Sequence, residues 1–423
     1  MPAGFELLAA DLRERAFGVR AHAPSSHRRI GAEVELIPVS TETRLALPIE
    51  AVEGPASLPF LRYFARSRGW VEDAASRSPR FLLPGGGLLA YEPGGQIEYS
   101  TPPLLSASAL LGELRAVVLP LRTAARDAGI ELLSLGIDPH TPLEQVALQL
   151  CDSRYLGMTE YLAAIGTEGV RMMRQTAAFQ LSLDVEDEPL LRWRVLNAAA
   201  PYLLAIFANS PRYAGMPTGH QSVRAHVWRE LDPTRTGVFA AAGDEVAEYL
   251  HFALDAPAIL PRSAEGAYLP FGELAARGGV TLADWQTHLS TLFPEVRPRG
   301  HLELRSLDAV DPIWYAAPVA LLSGLIYSRA TLHAAAELLA PPDAELLRQA
   351  GQVGLRDVEI GRRARDLCEI GLGGAAALGE EFLNKADLEI AREFFDRYTR
   401  CGRSPADDLQ LDSAVQPALP VPT

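Results

Sequence analysis

Glutamates that alternate with apolar residues most constrain the fold of this 423-residue chain. In the segment 30–36, Glu33 and Glu35 alternate with alanine, valine and leucine. Because successive side chains of a strand point to opposite faces, both carboxylates share one face and the apolar residues cover the other. The segment therefore predicts a β-strand with one apolar face and one acidic face.

Two further segments show the same one-sided distribution. The segment 92–100 carries Glu92 and Glu98 on either side of a Pro-Gly-Gly sequence, and alternation with leucine puts Glu303 and Arg305 on one strand face. Carboxylates gathered in this way repel one another unless a cation neutralises them. Mg²⁺ is a natural partner for a site made only of oxygen ligands, so the pattern predicts a divalent-cation site.

Each segment also has a simpler explanation. The first pair of glutamates could form the solvent face of an edge strand, and the second pair could be the polar ends of a hairpin turn. Glu303 could form a structural ion pair with Arg305. For Glu33 and Glu35, recurrence of the pattern on separate strands without a balancing row of lysines favours the cation site.

The composition excludes some classes of protein. Acidic residues number 53 and basic residues 39, which argues against a nucleic-acid-binding protein. Three scattered cysteines are too few for a disulfide framework and fit a reduced, cytoplasmic setting. The most apolar run, residues 313–328, contains Pro318 and is short for a membrane span, so it predicts a buried helix and no membrane partner. The oligomeric state stays open.

The order of the predicted elements indicates an α+β protein with a largely antiparallel sheet. We expect a catalytic unit at residues 1–310 that includes an N-terminal helix, a helical part at 311–403, and a disordered tail at 404–423. The segment 172–184 predicts a strand. The glycine-rich stretch 371–379 predicts a break in the C-terminal helices.

Seven segments together resemble the glutamate–cysteine ligases of plant and proteobacterial type. They occur in the family's order at residues 31–35, 92–98, 172–176, 207–211, 224–228, 232–237 and 293–305. Each segment alone is weak evidence, but seven in one order make the resemblance specific at the level of the family. Segments 297–300 and 307–309 resemble a related branch of the ergothioneine pathway.

The resemblance implies a glutamine-synthetase-like fold, in which an antiparallel sheet curves into a funnel with metal ligands on its inner face. It also implies that ATP phosphorylates the γ-carboxylate of L-glutamate. The amine of L-cysteine then displaces phosphate and gives γ-glutamylcysteine, for glutathione or ergothioneine-type thiol biosynthesis. Two alternatives stay open: the chain could be a γ-glutamyl ligase of the same fold that uses another amine acceptor, or a non-catalytic relative that binds nucleotide.

The resemblance further implies a role for individual residues. The Mg²⁺ ligands would be Glu33, Glu35, Glu92, Glu98 and Glu303. Arg235 and Arg305 would neutralise phosphates during transfer, and with Arg299 they would bind ATP. The substrate site would be lined by Arg154, Tyr155, Met173, Thr176, Gln180, Arg224 and Trp228. Ser182 departs from the family, which usually has asparagine there, so contacts to the substrate amino group are expected to differ.

Overall fold

A computed structural model describes residues 4–18, 28–185, 187–239, 243–262 and 266–415 of the chain. Within those ranges, no helix is both long enough and apolar enough to cross a membrane. The Ser/His/Arg/Pro-rich stretch before the first strand lies mostly outside the described residues.

Eleven strands form within the described ranges. They are β1 (Ile30–Ser40), β2 (Val71–Glu72), β3 (Arg80–Leu82), β4 (Leu88–Tyr91), β5 (Ile97–Ser100), β6 (Ile130–Leu133), β7 (Phe179–Asp184), β8 (Arg212–Tyr213), β9 (Met216–Pro217), β10 (Val296–Pro298) and β11 (His301–Leu304).

Sixteen α-helices surround them in the same ranges. The first eight are α1 (Phe5–Asp11), α2 (Ser57–Ser67), α3 (Ala107–Asp127), α4 (Ser153–Ile165), α5 (Thr167–Gln175), α6 (Pro189–Ile206), α7 (Val223–Glu230) and α8 (Glu245–Asp255). The others are α9 (Phe271–Ala276), α10 (Leu282–Leu289), α11 (Ala316–Tyr327), α12 (Arg329–Leu338), α13 (Ala344–Gln352), α14 (Val358–Ala377), α15 (Lys385–Arg397) and α16 (Pro405–Val415).

Nine of the strands form one sheet in the order β10-β11-β7-β1-β5-β4-β3-β2, and β6 pairs with the second half of β1. Every pair among the described strands is antiparallel. The α+β class and the antiparallel sheet predicted from the sequence are therefore confirmed. The eleven-residue β1 is central, with β5, β6 and β7 as its neighbours.

The two faces of β1 have opposite surroundings. Ala32, Val34 and Leu36 are buried in the main apolar core, which also contains four of the five leucines of α3. That helix begins where the Ser106 side chain accepts a hydrogen bond from the backbone N–H of Ala109, a typical N-cap. The apolar side of α3 packs against β1 and β6. The acidic face of β1 therefore lies on the opposite side of the sheet.

The C-terminal helices pack closely because glycines lie at their contacts. Residues 316–327 of the apolar run 313–328 form α11, which is buried along its whole length and packs against α14 and α15, whereas Ile313 is exposed. A Cβ at Gly324 of α11 would overlap the carbonyl of Gly371 on α14. The predicted break at 371–379 is therefore wrong over most of its length. The helix α14 continues through Gly374, because these glycines let two helix backbones approach each other.

Two other expectations also need correction. Residues 172–175 belong to α5, and the strand begins only at Phe179. The tail is not disordered from residue 404, because α16 begins at Pro405, and residues 416–423 lie outside the described residues. Ala406 is fully buried and donates a backbone hydrogen bond of 3.0 Å to the Ala208 carbonyl, so tertiary contacts hold a segment whose polar composition suggested disorder.

Candidate active site

The floor of the candidate site is the acidic face of β1. Antiparallel register puts Glu35 opposite Glu98 of β5 and puts Glu33 opposite Gln180 of β7. Strand alternation then directs these side chains to one side of the sheet, where they line a pocket of about 250 Å³. The two acidic strands predicted from residues 30–36 and 92–100 are thus brought together as direct neighbours.

The Glu92 segment differs from the single strand predicted for it. Residues 92–96 form the turn of a hairpin between β4 and β5, closed by a 2.8 Å bond from the Glu92 backbone N–H to the Gln96 carbonyl. Gly95 adopts φ +97°, which glycine accepts at little cost. The hairpin alternative was therefore the better description of local structure. Glu92 nevertheless lines the pocket with Glu98.

Gly94 lets this hairpin touch the end of α5. A Cβ at Gly94 would overlap the Arg174 carbonyl oxygen and would lie 2.5 Å from the Arg174 Cα. The Gly94 carbonyl accepts a 2.7 Å hydrogen bond from Gln149, and the Gln96 side chain donates one of 2.8 Å to the Thr176 carbonyl. These contacts fix the position of Glu92 relative to the sheet.

The four pocket glutamates are poorly stabilised as anions. Burial, followed by repulsion from Glu98, raises the pKa of Glu33 to about 8. Burial and repulsion from Glu35 raise the pKa of Glu98 to about 7. Burial raises the pKa of Glu35, against the opposing attraction of Arg224, and raises that of Glu92 well above its ordinary value. Carboxylates in this condition favour either bound protons or a bound cation.

Hydrogen bonds orient these carboxylates individually. Glu35 accepts bonds of 2.8 Å from the Ala178 N–H and 3.0 Å from the Gln180 amide. Glu98 accepts one of 2.8 Å from the Ser100 hydroxyl. Among the described residues, no group of three or more acidic, histidine or cysteine side chains is arranged to hold a metal ion. The oxygen-only donor set fits a hard cation by its chemistry.

Glu303 lies behind a group of arginines and does not line the pocket. Its side chain is fully buried and forms ion pairs with Arg297, Arg299 and Arg305 at 2.6, 3.0 and 3.1 Å. Burial opposes the charged form, but Arg297 and Arg305 outweigh it and hold the pKa of Glu303 well below its usual range. Both oxygens of Glu303 already accept hydrogen bonds from arginines, and its role as a metal ligand stays a prediction.

The three arginines themselves do line the pocket. Arg305 also donates a 2.6 Å hydrogen bond to the Gln180 side chain, which links the arginines to the acidic floor. Arg297 was not among the residues that the family resemblance assigned to ATP. In the sequence Arg-Pro-Arg-Gly, Arg297 and Arg299 are two residues apart, and this spacing indicates that both side chains lie on one face of the β10–β11 hairpin.

Helices α4, α5 and α7 form the opposite wall and carry most of the predicted substrate residues, whereas Thr176 follows the end of α5 and Gln180 lies on β7. The residues of this set that line the pocket are Arg154, Tyr155, Met173, Thr176, Gln180, Arg224 and Trp228. The guanidinium of Arg224 lies 4.5 Å from the centre of the Trp228 ring and donates a 2.8 Å hydrogen bond to the Arg305 carbonyl. Three apolar residues that were not predicted from the sequence, Met158, Met172 and Phe293, also line this side of the pocket.

A buried polar cluster fixes the position of the first turn of α7. Asp308 accepts hydrogen bonds from the Ser210 hydroxyl at 2.7 Å and from the Ser222 hydroxyl at 2.9 Å. Ser222 is the N-cap residue of α7, so Asp308 fixes the helix that presents Arg224. The segment 207–211, which contains Ser210, is one of those that resemble the family. Nothing in the sequence indicated that Ser210 pairs with Asp308.

Arg235 is not brought to the pocket. Its side chain is fully buried and forms a 3.1 Å ion pair with Asp232, and its guanidinium carbon lies 4.6 Å from the centre of the Tyr161 ring. It also donates hydrogen bonds to Thr291 and to the Pro257 carbonyl. The prediction that Arg235 contacts phosphate is corrected, since these partners hold it within the protein interior.

Comparison with known proteins identifies the family of this chain. The model of glutamate–cysteine ligase family 2 matches residues 29–414. "Glutamate–cysteine ligase EgtA" of Mycolicibacterium smegmatis is 35% identical over 383 residues, which cover 86% of each chain. The chloroplastic glutamate–cysteine ligase of Arabidopsis thaliana is 31% identical over 353 residues, covering 76% of this chain and 65% of the plant protein.

A solved structure shows the same fold at low sequence identity. The glutamate–cysteine ligase of Francisella tularensis, determined in complex with AMP, aligns with a TM-score of 0.55 and 13% identity over 93% of this chain and 86% of that one. The fold is that of the glutamine-synthetase-like ligases, as the resemblance implied. The family model and the relatives agree on one assignment: this chain is a ligase that belongs to glutamate–cysteine ligase family 2.

Proposed function

We propose that this ligase uses ATP and Mg²⁺ to join the γ-carboxylate of L-glutamate to the amine of L-cysteine through γ-glutamyl phosphate. One observation carries the proposal. Four partly buried glutamates, three on the paired strands β1 and β5 and one in the β4–β5 turn, face one pocket, and arginines supply its positive charges. Phosphoryl transfer depends on this combination of cation sites and arginines more than on a covalent protein nucleophile.

The acidic floor is the proposed cation site. Glu33, Glu35, Glu92 and Glu98 would hold Mg²⁺, because burial raises their pKa values more than the nearby arginines lower them. Bound Mg²⁺ would neutralise phosphate oxygens and polarise the phosphoryl group. Glu303 has the separate task of orienting the arginines, since its two oxygens are already paired.

The arginine side of the pocket would bind the phosphates. Arg297 and Arg305 are largely buried and Arg299 is half exposed, so the group reaches from the floor to the mouth. An oxygen of the glutamate γ-carboxylate would attack the terminal phosphorus of ATP, and the bond from that phosphorus to ADP would break. Guanidinium groups stabilise the charge that spreads over the phosphoryl oxygens in such a step.

The helical wall would bind the amino acid. Arg224, held by the Trp228 ring and the Arg305 carbonyl, suits a carboxylate, and the methionines suit the methylene groups of glutamate. The amine of cysteine would then attack the acyl carbon, form the amide bond and release phosphate. The cavity has a volume of about 250 Å³, just below the usual range of about 300–1,000 Å³ for small-molecule sites.

The acceptor is tested by phosphate release. With ATP, Mg²⁺ and L-glutamate present, adding L-cysteine should raise the rate, and mass spectrometry of a reaction with competing amines should show γ-glutamylcysteine as the main product. Failure of cysteine to raise the rate would refute the assignment of the acceptor. The product could supply either the glutathione or the ergothioneine type of pathway.

The cation site is tested by a matched pair of variants. Glu33→Gln should nearly abolish turnover. It should not lower the melting temperature, because the substitution removes a carboxylate whose charged form burial disfavours. Glu42→Gln, in the exposed turn after β1, should have no effect on either quantity. Equal activity of the two variants would contradict the proposed Mg²⁺ site.

A further inference from the structure

Helix α7 is hydrogen-bonded to the segment that carries the pocket arginines. Near the start of the helix, Arg224 donates a 2.8 Å hydrogen bond to the Arg305 carbonyl. Near its end, the Trp228 indole N–H donates one of 3.1 Å to the Phe293 carbonyl. All four residues line the pocket. The wall that carries Arg224 and the wall that carries Arg305 are therefore directly joined.

A buried ion pair extends this attachment behind the pocket. Arg229, the residue after Trp228 on α7, pairs with Glu295, which lies two residues before Arg297. The two side chains are only 10% and 7% exposed. Neither residue lines the pocket, although Trp228 and Arg297 do. The Arg229–Glu295 pair therefore lies where it can affect the position of pocket residues without touching a substrate.

The backbone of Glu295 connects the pair to Arg305. The Glu295 carbonyl accepts a 2.9 Å hydrogen bond from the Arg305 N–H, and the Arg305 carbonyl accepts the bond from Arg224. These contacts form a closed ring, because Arg224 and Arg229 belong to the same helix. The two attachment points lie about 7.5 Å apart along the helix axis. Sliding or tilting of α7 relative to Arg305 would therefore break at least one contact of the ring.

Stability alone is a poor explanation for the pair. Removing two charges from water offsets most of the free energy that their attraction returns, so apolar residues of similar volume often stabilise a fold equally well. The Arg229 Nε–H is also buried without a hydrogen-bond partner, which adds to the cost. An apolar contact lacks direction, whereas a charged hydrogen bond fixes both the distance and the orientation of its two groups. The geometry therefore favours a role in orientation.

We propose that Arg229 and Glu295 are a positioning pair that fixes Arg224 relative to Arg305. The inference rests on the proposed function, in which Arg224 binds the amino-acid carboxylate and Arg305 binds phosphate. The pair would then set the distance between the γ-carboxylate of glutamate and the terminal phosphorus of ATP. A displacement of about 1 Å between reacting groups lowers a rate by about 10²-fold, whereas each substrate keeps most of its own binding contacts.

The test replaces both charges by apolar groups of similar length, in the double variant Arg229→Met/Glu295→Met. We expect kcat for cysteine-dependent phosphate release to fall by about 10- to 100-fold, while KM for L-glutamate and for ATP changes by less than about threefold. The melting temperature should stay within about 3 °C of the wild-type value. Arg229→Lys, which keeps the ion pair, should retain kcat to within about threefold. Unchanged kcat in the double variant, or an equally large loss in Arg229→Lys, would overturn the proposal.

A second variant and a control separate position from folding. Glu295→Asp retains both charges but shortens the connection by one methylene group, so kcat should fall about tenfold even if the double variant unfolds. Full activity of Glu295→Asp would refute the positioning role alone. Arg115→Met/Asp387→Asn removes an ion pair between α3 and α15, outside the pocket, and should leave kcat unchanged. If the wild-type protein releases no phosphate in response to cysteine, the proposed function fails first, and the positioning role fails with it.

Discussion

The contact between Gly94 and Arg174 gives a sharp prediction about the hairpin that carries Glu92. A Cβ at Gly94 would overlap the Arg174 carbonyl oxygen and would lie 2.5 Å from its carbonyl carbon and its Cα, where ordinary contacts begin at 3.4 Å. Both sides of this contact are backbone, so no side chain can turn away. In Gly94→Ala, the hairpin must therefore move by roughly 1 Å.

The magnitude follows from what that movement disrupts. Overpacking a close contact costs about 1–3 kcal/mol. The bonds from Gln149 to the Gly94 carbonyl and from Gln96 to the Thr176 carbonyl would be weakened, at about 1 kcal/mol each. We expect Gly94→Ala to lower the free energy of unfolding by about 3–5 kcal/mol. Displacing Glu92 by about 1 Å should also lower kcat by about 10²-fold.

Urea unfolding followed by tryptophan fluorescence measures the first quantity, and phosphate release well below the unfolding midpoint measures the second. The control is Gly85→Ala in the neighbouring β3–β4 turn, where the nearest atom to a new Cβ is the Glu113 Oε1 at 3.9 Å. This control should change stability by less than about 0.5 kcal/mol. If Gly94→Ala behaves like Gly85→Ala in both assays, the argument from backbone overlap fails.

Three further predictions concern charge and the C-terminus. Since burial raises the pKa of Glu33 to about 8 and that of Glu98 to about 7, their stabilising protonation is complete at acid pH and is lost as pH rises through these values. The melting temperature without divalent ions should fall from about pH 5 to 8, and Mg²⁺ should restore it, whereas a flat profile in both conditions would contradict the charged floor. Arg235→Gln should lower the free energy of unfolding by about 3–5 kcal/mol in urea, while Arg299→Gln, at a half-exposed side chain, should cost less than about 1 kcal/mol but raise the KM for ATP. Removing residues 405–423 should lower the melting temperature by several degrees, because it exposes the surface that buries Ala406. An unchanged melting temperature would show that α16 contributes nothing to stability.

Local periodicity made the acidic floor predictable. Alternation alone identified the face of β1 that carries Glu33 and Glu35, because strand geometry has a fixed period of two. The length and apolarity of residues 313–328 likewise predicted the buried helix α11. These inferences needed only neighbours in the sequence.

The errors came from contacts between distant segments. Arg235 looked available for phosphate, but it meets Pro257 and Thr291, which lie 22 and 56 positions further along the chain. The tail looked disordered because its composition is polar, yet Ala406 binds the backbone of Ala208. The glycines near Gly371 looked like helix breakers because their partner, Gly324, is visible only after the helices pack. Local patterns do not specify these partners.

The ion pairs of Glu303 have a consequence for how a polyanion would meet this protein. One carboxylate orders three guanidinium groups, so the sheet edge carries two more positive charges than negative ones within that cluster. The arginines are held in position by the fold itself, so little reorganisation would be needed if they bind phosphate as proposed. Glu303 thus acts as a permanent internal counter-ion, and electrostatic preorganisation of the site begins with a residue that the substrate need never touch.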